Sequence, residues 1–372
     1  MNLRSYQLAA VQFLHTRQRG FIVAPAGSGK TVIAAEAAAD CAQTFDRVVW
    51  LANTREQCDQ ARKAIGQASW RELVEIEVRC AAGQPDVSDA DILIIDECHH
   101  MPAATWFATA AKAPRLVWGF SATPWHRDPE RNEVLKDFFG ADNFFTVERE
   151  EVRAGGHLAE GRVLFHDVDQ PGEFDSSINQ LAAAELAIKA RRFRNVPPEE
   201  LKRRIVWQLT ADAIRANYAR NCRILSIANE APGSVLVLVS TIEHGEQLAA
   251  EIDGAVLVHA KIGAKKRRDA IAGFRDGTIR CMIATSLADE GLDVPRASVL
   301  ILASGGRSAG KIEQRAGRVL RPHAGKEFGL VHDFTDRGSV MGAAQARARE
   351  KVYRSLGYTV TTATTIREEK TA

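Results

Sequence analysis

Residues 21–36 read Phe21-Ile22-Val23-Ala24-Pro25-Ala26-Gly27-Ser28-Gly29-Lys30-Thr31-Val32-Ile33-Ala34-Ala35-Glu36. An apolar, β-branched run meets a glycine-bearing loop, then Gly-Lys-Thr, then an alanine-rich helical stretch. Strand, loop and helix in that order are the setting a phosphate-binding loop requires. Glycines let successive backbone N–H groups converge on phosphate oxygens, and the N-terminus of the next helix adds partial positive charge. Gly27, Ser28 and Gly29 would line such a cradle. Lys30 would reach the β- and γ-phosphates, while the Thr31 hydroxyl would sit on Mg2+. The ligands implied are ATP and Mg2+. Ala24 stands where the general pattern has its first glycine.

Downstream, Ile92-Leu93-Ile94-Ile95 is a fully apolar strand that runs into Asp96-Glu97-Cys98-His99-His100. Carboxylates at the C-terminal end of a buried parallel strand sit where ligands bind in such sheets. Asp96 is suited to hold Mg2+, and Glu97 to orient or deprotonate an attacking water. Asp-Glu after a strand is common by itself; a phosphate loop upstream makes it specific. His99 is placed to link nucleotide state to the rest of the molecule, and no role is assigned to His100.

Short β-branched runs alternate with alanine-rich stretches on both sides of this region, the pattern of parallel α/β sheets. The first series comprises Phe21–Ala24, Val48–Ala52, Ile76–Cys80, Ile92–Ile95 and Leu116–Phe120. The second comprises Val235–Val239, Ala255–Val258, Cys281–Ala284, Val299–Leu302 and Gly329–Asp333. Two series predict two sheets. From about Asp175 to Ala231 the chain reads as three helices with a break at Pro197-Pro198, and it carries Lys189, Arg191, Arg192, Arg194, Lys202, Arg203 and Arg204. That segment is either a solvated helical linker or a basic element lying on a phosphate backbone.

The chain of 372 residues is long enough for two domains, each with its own core. Its net charge of +2 does not announce a nucleic-acid binder, although a neutral total can hide a basic groove. The cysteines at 41, 58, 80, 98, 222 and 281 form no Cys-x-x-Cys pair, which points to a reduced, intracellular protein without structural metal. No signal-peptide core and no uncharged run near the roughly 18 residues of a membrane span is present. The cytoplasm, that of a host if the gene is a phage's, is the expected location.

A longer series of motifs surrounds the phosphate loop. Leu3-Arg4-Ser5-Tyr6-Gln7 precedes it, Leu51-Ala52-Asn53-Thr54-Arg55 follows, and Ser121-Ala122-Thr123-Pro124 lies beyond the acidic pair. In the second half come Val237-Leu238-Val239-Ser240 with Glu243-His244, then Ala284-Thr285-Ser286 with Glu290-Gly291-Leu292-Asp293-Val294-Pro295. The last is Glu313-Gln314-Arg315-Ala316-Gly317-Arg318-Val319-Leu320-Arg321-Pro322. In this order and over almost the whole chain, they resemble the motif series of superfamily-two helicases of the DExH type. Ala24 in the phosphate loop is usual among them.

The resemblance implies two tandem RecA-like domains, 1–170 and 233–372, with a helical linker or insertion at 171–232. It implies that Arg4 and Gln7 read adenine, Gln7 presenting its amide to the base, and that His99, Ser121 and Thr123 couple hydrolysis to movement. Thr54, Arg55, Thr285 and Ser286 become the nucleic-acid contacts, mainly to the backbone and so with little base specificity. Gln314 joins the catalytic set, with Arg318 and Arg321 as arginine fingers; Gly291 and Asp293 belong to the nucleotide side. An arginine at the transferring phosphoryl group is worth roughly a thousandfold or more in rate.

Within the superfamily, Thr123-Pro124-Trp125-His126-Arg127-Asp128 running on to Phe139-Gly140, and Arg220-Asn221, resemble compact phage branch-migration and excision-repair DNA helicases. RNA helicases of the Asp-Glu-Ala-Asp kind carry Asp in place of His99 and usually His in place of Gln314. The expected activity is therefore an ATP-dependent DNA helicase or translocase, acting as a monomer on single-stranded, duplex or branched DNA. An RNA helicase and a nucleotide-gated clamp that does not unwind are the alternatives. Roughly 40 residues separate Arg55 from Asp96, with no Thr-x-Gly-Arg element between them and no added DNA-binding domain, so accessory proteins or the segment 175–231 are candidates for extra grip.

Overall fold

The computed structural model describes residues 3–25, 27–42, 44–66, 74–113, 115–126, 128–155, 160–190, 193, 195–285, 294, 296–306, 312, 315–317 and 328–363. The chain divides into two units, Met1–Leu158 and Ala159–Ala372.

The first unit is built on β1 (Arg19–Val23), β2 (Val48–Ala52), β3 (Ile76–Cys80), β4 (Ile92–Asp96), β5 (Leu116–Ser121) and β6 (Phe144–Thr146). They form one sheet in the order β3-β2-β4-β5-β1-β6, every pair parallel. The run Ile92-Leu93-Ile94-Ile95 is fully buried, which explains why it reads as uninterrupted hydrophobic sequence. Burying each such side chain stabilises by about 1.5–3 kcal/mol. One face of the sheet packs Phe21, Val49, Leu51, Leu93 and Ile95 against Trp106, Leu135, Phe138 and Phe139. The strand order matters for function. It sets the chain segments leaving β2, β4, β5 and β1 side by side at the carboxyl edge.

Among its described residues the second unit has seven strands: β7 (Glu160–Asp169), β8 (Ser234–Leu238), β9 (Val256–Val258), β10 (Cys281–Ala284), β11 (Ala297–Leu302), β12 (Phe328–Arg337) and β13 (Thr359–Thr362). Their order is β13-β7-β12-β11-β8-β10-β9, again with parallel pairing. Strand β7 corrects the expected domain boundary at 170. It pairs with β12 along its whole length, so the second unit begins at Ala159.

The helical segment is also part of this unit and not a free linker. Its helices are Phe174–Lys189, Pro198–Ala216 and Tyr218–Glu230. The first two join through Ala182, Leu201 and Ile205 and through Phe174, Ile178 and Ile214. The third buries Ile224, Ile227 and Ala228 in the core of the second sheet. Arg203 and Arg204 are exposed, as the basic reading requires, yet Lys189 is paired with Glu185 and Arg204 with Glu200. Arg191, Arg192 and Arg194 lie outside the described residues.

Candidate active site

In the phosphate loop, Gly27 and Gly29 adopt φ of +86° and +83°, the left-handed region that glycine enters without steric cost. Gly29 is also crowded: a Cβ there would lie 2.5 Å from Gln7 Nε2. It caps the helix Lys30–Asp40, whose first-turn N–H groups face the loop. Ala24 N donates to the Ser121 carbonyl at 3.0 Å, fastening the loop to the end of β5. Lys30 Nζ donates to the Ala24 carbonyl at 3.2 Å, and the Ser28 side chain is buried. Left-handed glycines, a helix N-terminus and a lysine make a cradle of donors that fits the phosphates of ATP.

Gln7 packs against the phosphate loop. It is buried, its Oε1 accepts from Arg4 N at 3.1 Å and its Nε2 donates to the Ser28 carbonyl at 3.0 Å. Tyr6 Oη donates to the same carbonyl at 3.1 Å and itself accepts from Arg4 Nη1 at 2.6 Å. Both ends of the amide are thus engaged within the protein, and Gln7 acts here as a brace for the phosphate loop. Tyr6 shares that work, although sequence reading gave it no part.

Asp96 ends β4, beside β5 and two strands from β1. Its carboxyl accepts from Glu97 N at 3.0 Å. Burial, and then the neighbouring Glu97 charge, push its pKa up to about 6, against the pull of Lys30. Burial works against the charge of Glu97 too, but contact with His99 and the charge of Lys30 outweigh it and hold that carboxyl below its ordinary value. Glu97 itself sits in the left-handed region at φ +49°, a position that costs a non-glycine residue of order 1–3 kcal/mol. The oxygens of Thr31 and Asp96, beside a phosphate cradle, are the hard donors Mg2+ takes.

His99 links this pair to the third motif. Its Nδ1 lies 3.0 Å from Ser121 Oγ and 3.3 Å from Glu97 Oε2. Ser121 Oγ in turn accepts from Thr123 N at 3.2 Å. Two contacts here were not anticipated. His126 Nε2 approaches the His99 carbonyl at 2.7 Å, and His100 Nε2 stands 3.4 Å from Asn53 Nδ2. The turn bearing these histidines packs tightly on β5, where a Cβ at Gly119 would lie 2.8 Å from Cys98 Sγ.

Thr54 opens the helix Arg55–Gly66 that follows β2. Thr54 Oγ1 accepts from Gln57 N at 3.2 Å while Gln57 Oε1 accepts from Thr54 N at 3.1 Å, a reciprocal cap. Arg55 is exposed at that helix N-terminus. In the second unit Thr285 is buried just beyond β10, its N donating to the Val258 carbonyl at 3.2 Å. Ser286, Gly291, Asp293, Gln314, Arg318 and Arg321 lie outside the described residues. The first unit therefore brings together Lys30, Asp96, Glu97, His99, Ser121 and Thr123.

Two family models match the chain. One is the helicase conserved C-terminal domain, over residues 216–323; the other is the type III restriction enzyme, res subunit, over residues 1–79. The chain is similar to a putative helicase 22 of Sulfolobus islandicus filamentous virus, with 25% identity across 89% of this chain and 64% of that protein. It is also similar to the DNA 3'-5' helicase XPB of Kineococcus radiotolerans, with 26% identity across 86% of this chain and 57% of the relative. The chain thus spans less than two thirds of the length of either. Among solved structures, the helicase domain of Pyrococcus furiosus Hef superposes with a TM-score of 0.56 at 16% identity, covering 95% of this chain and 98% of that one. At that identity the likeness concerns the fold.

Proposed function

We propose that the chain, which matches the helicase C-terminal and type III restriction res-subunit models and is similar to curated DNA helicases, is a superfamily-two helicase: an ATP-driven motor that moves on or remodels DNA. The observation that carries this reading is the strand order β2-β4-β5-β1, which sets the strand-contacting segment beside the acidic pair, the third motif and the phosphate loop.

Bound ATP with Mg2+ supplies the phosphoanhydride and the charge that polarises it. Gly27, Ser28, Gly29 and Lys30 hold the phosphates; Thr31 and Asp96 hold the metal ion. Glu97, kept charged, orients the attacking water and takes its proton. His99, hydrogen-bonded to Ser121, passes the change to the third motif. By the family resemblance Gln314, Arg318 and Arg321 are the further residues that would act on the transferring phosphoryl group, with Gly291 and Asp293 on the nucleotide side. Thr54 and Arg55 in one unit and Thr285 and Ser286 in the other grip the phosphodiester backbone. Motion follows if the two grips differ in strength between nucleotide states. The protein acts as a monomer in the cytoplasm, and the 3'-5' polarity named for the Kineococcus relative is the direction to test first.

Steady-state ATP hydrolysis on no nucleic acid, single-stranded DNA, duplex, fork and single-stranded RNA tests this reading. Strong stimulation by DNA, lost in Lys30→Ala, is the expected result. Stimulation by RNA alone would overturn the choice of DNA.

A further inference from the structure

A polar contact joins the hydrolytic turn after β4 to the turn after β2 that carries Thr54 and Arg55. Asn53 Nδ2 stands 3.4 Å from His100 Nε2, across 47 residues of chain. Burial, and then the adjacent His99, push the His100 pKa down to about 4. A neutral imidazole that receives an amide N–H on Nε2 carries its own proton on Nδ1.

Both ends of this contact are held. The His100 ring lies between the rings of His99, at 4.2 Å between centroids, and Trp106, at 5.8 Å. His99 reaches Ser121 and Glu97 on its far side. At the other end, Gln57 Oε1 accepts from both Asn53 N and Thr54 N at 3.1 Å, and the Asn53 carbonyl accepts from Cys80 Sγ at 3.6 Å. Asn53 cannot follow His100 without moving the turn that presents Thr54 and Arg55. The path runs Glu97, His99, His100, Asn53, Thr54. Each step is a bond, a ring contact or a hydrogen bond.

We propose that His100 is a positioning residue, through which the hydrolytic turn sets the orientation of the Asn53-Thr54-Arg55 turn and thereby couples nucleotide state to the grip on DNA. This rests on the helicase reading above. His100 acts on that turn through Asn53.

The test is a double-mutant cycle on the full chain. His100→Phe keeps a ring between His99 and Trp106 but removes the acceptor, Asn53→Ala removes the donor, and His100→Gln restores an acceptor near the Nε2 position. Basal ATP hydrolysis, DNA-stimulated kcat and DNA Kd with and without a non-hydrolysable ATP analogue are measured. His100→Phe is expected to lower DNA-stimulated kcat about 5- to 10-fold, the scale of one lost hydrogen bond, while KM for ATP without DNA stays unchanged. Asn53→Ala should match it, the double variant should add nothing, and His100→Gln should recover most of the loss. Equal loss of basal and stimulated rates, or additive losses, would overturn the proposal alone. A wild-type ATPase indifferent to DNA would instead sink the helicase reading, and the proposal with it.

Discussion

Arg349 donates to Asp333 from Nε at 2.8 Å and from Nη2 at 2.9 Å, deep inside the second unit. Tyr353 Oη donates to the same carboxylate at 2.9 Å. Both partners of the ion pair are almost fully buried, and the three groups bind the helix Val340–Ser355 to β12. Removing one member strands the other in a buried site, a loss of about 3–5 kcal/mol. Asp333→Ala should therefore destabilise the protein by that amount in denaturant titration. A loss near zero would mean that the pair is dispensable.

Gly29 supports a second prediction. Its φ of +83° disfavours any side chain, and the Cβ of alanine would press on Gln7 Nε2. The left-handed conformation alone costs alanine roughly 1–2 kcal/mol, so Gly29→Ala should weaken ATP binding about tenfold or more by calorimetry. Gly29→Ala with Gln7→Ala should recover the part due to crowding and leave the part due to φ.

The pair His166 and His332 predicts a pH dependence. Arg223 Nε donates to His166 Nδ1 at 3.1 Å, so His166 bears its proton on Nε2 and donates to His332 Nδ1, 2.8 Å away. Burial, then His332 and Arg223, push His166 down to about 3; burial, then Arg223, push His332 down to about 4. The unfolded chain takes up these protons near pH 6.5, well before the folded chain does. Their contribution to stability is therefore complete above pH 6.5 and is lost as pH falls towards 4, with a slope of at most about 1.4 kcal/mol per pH unit for each. Thermal melts between pH 7 and 4.5 should show a shallower decline for the His166→Asn, His332→Asn double variant. An equal decline would place the acid sensitivity elsewhere.

Ser121 receives two contacts on one oxygen, from His99 and from Thr123 N. Ser121→Ala should leave ATP affinity within about twofold and lower DNA-stimulated turnover by 5-fold or more, on the scale of a lost buried hydrogen bond. A raised KM for ATP with intact stimulation would instead make Ser121 a nucleotide-binding residue.

How much of this was legible in the sequence depended on the distance over which each feature is encoded. Uninterrupted apolar runs such as Ile92–Ile95 and Cys281–Ala284 announce central strands because both faces of a parallel sheet are covered. Strand β7 was missed: charges at Glu160, Arg162, Asp167 and Asp169 break its hydrophobic run, and more than 60 residues of mostly helical chain separate it from β8. That omission also put the domain boundary too late. Strands β6 and β13 were missed as well; both are short and neither is fully buried. Lys30, Asp96 and Glu97 were readable because phosphate and metal chemistry demands those groups next to each other in the chain. The contact of Asn53 with His100 was not, since it exists only because β2 pairs with β4. Nor could local sequence reveal that Gln7 is buried against Ser28.

Strand separation on a fluorescently labelled forked DNA, followed with ATP for the wild type and for Glu97→Gln, most directly tests whether hydrolysis drives movement. Glu97→Gln keeps the shape of the site but removes the charge that takes the proton, which should cost about 100-fold or more in hydrolysis. ATP-dependent opening of the fork by the wild type, with bound but unopened fork in Glu97→Gln, is the predicted result. DNA-stimulated hydrolysis by the wild type with the fork left closed would contradict strand separation and leave a duplex translocase or a nucleotide-gated clamp.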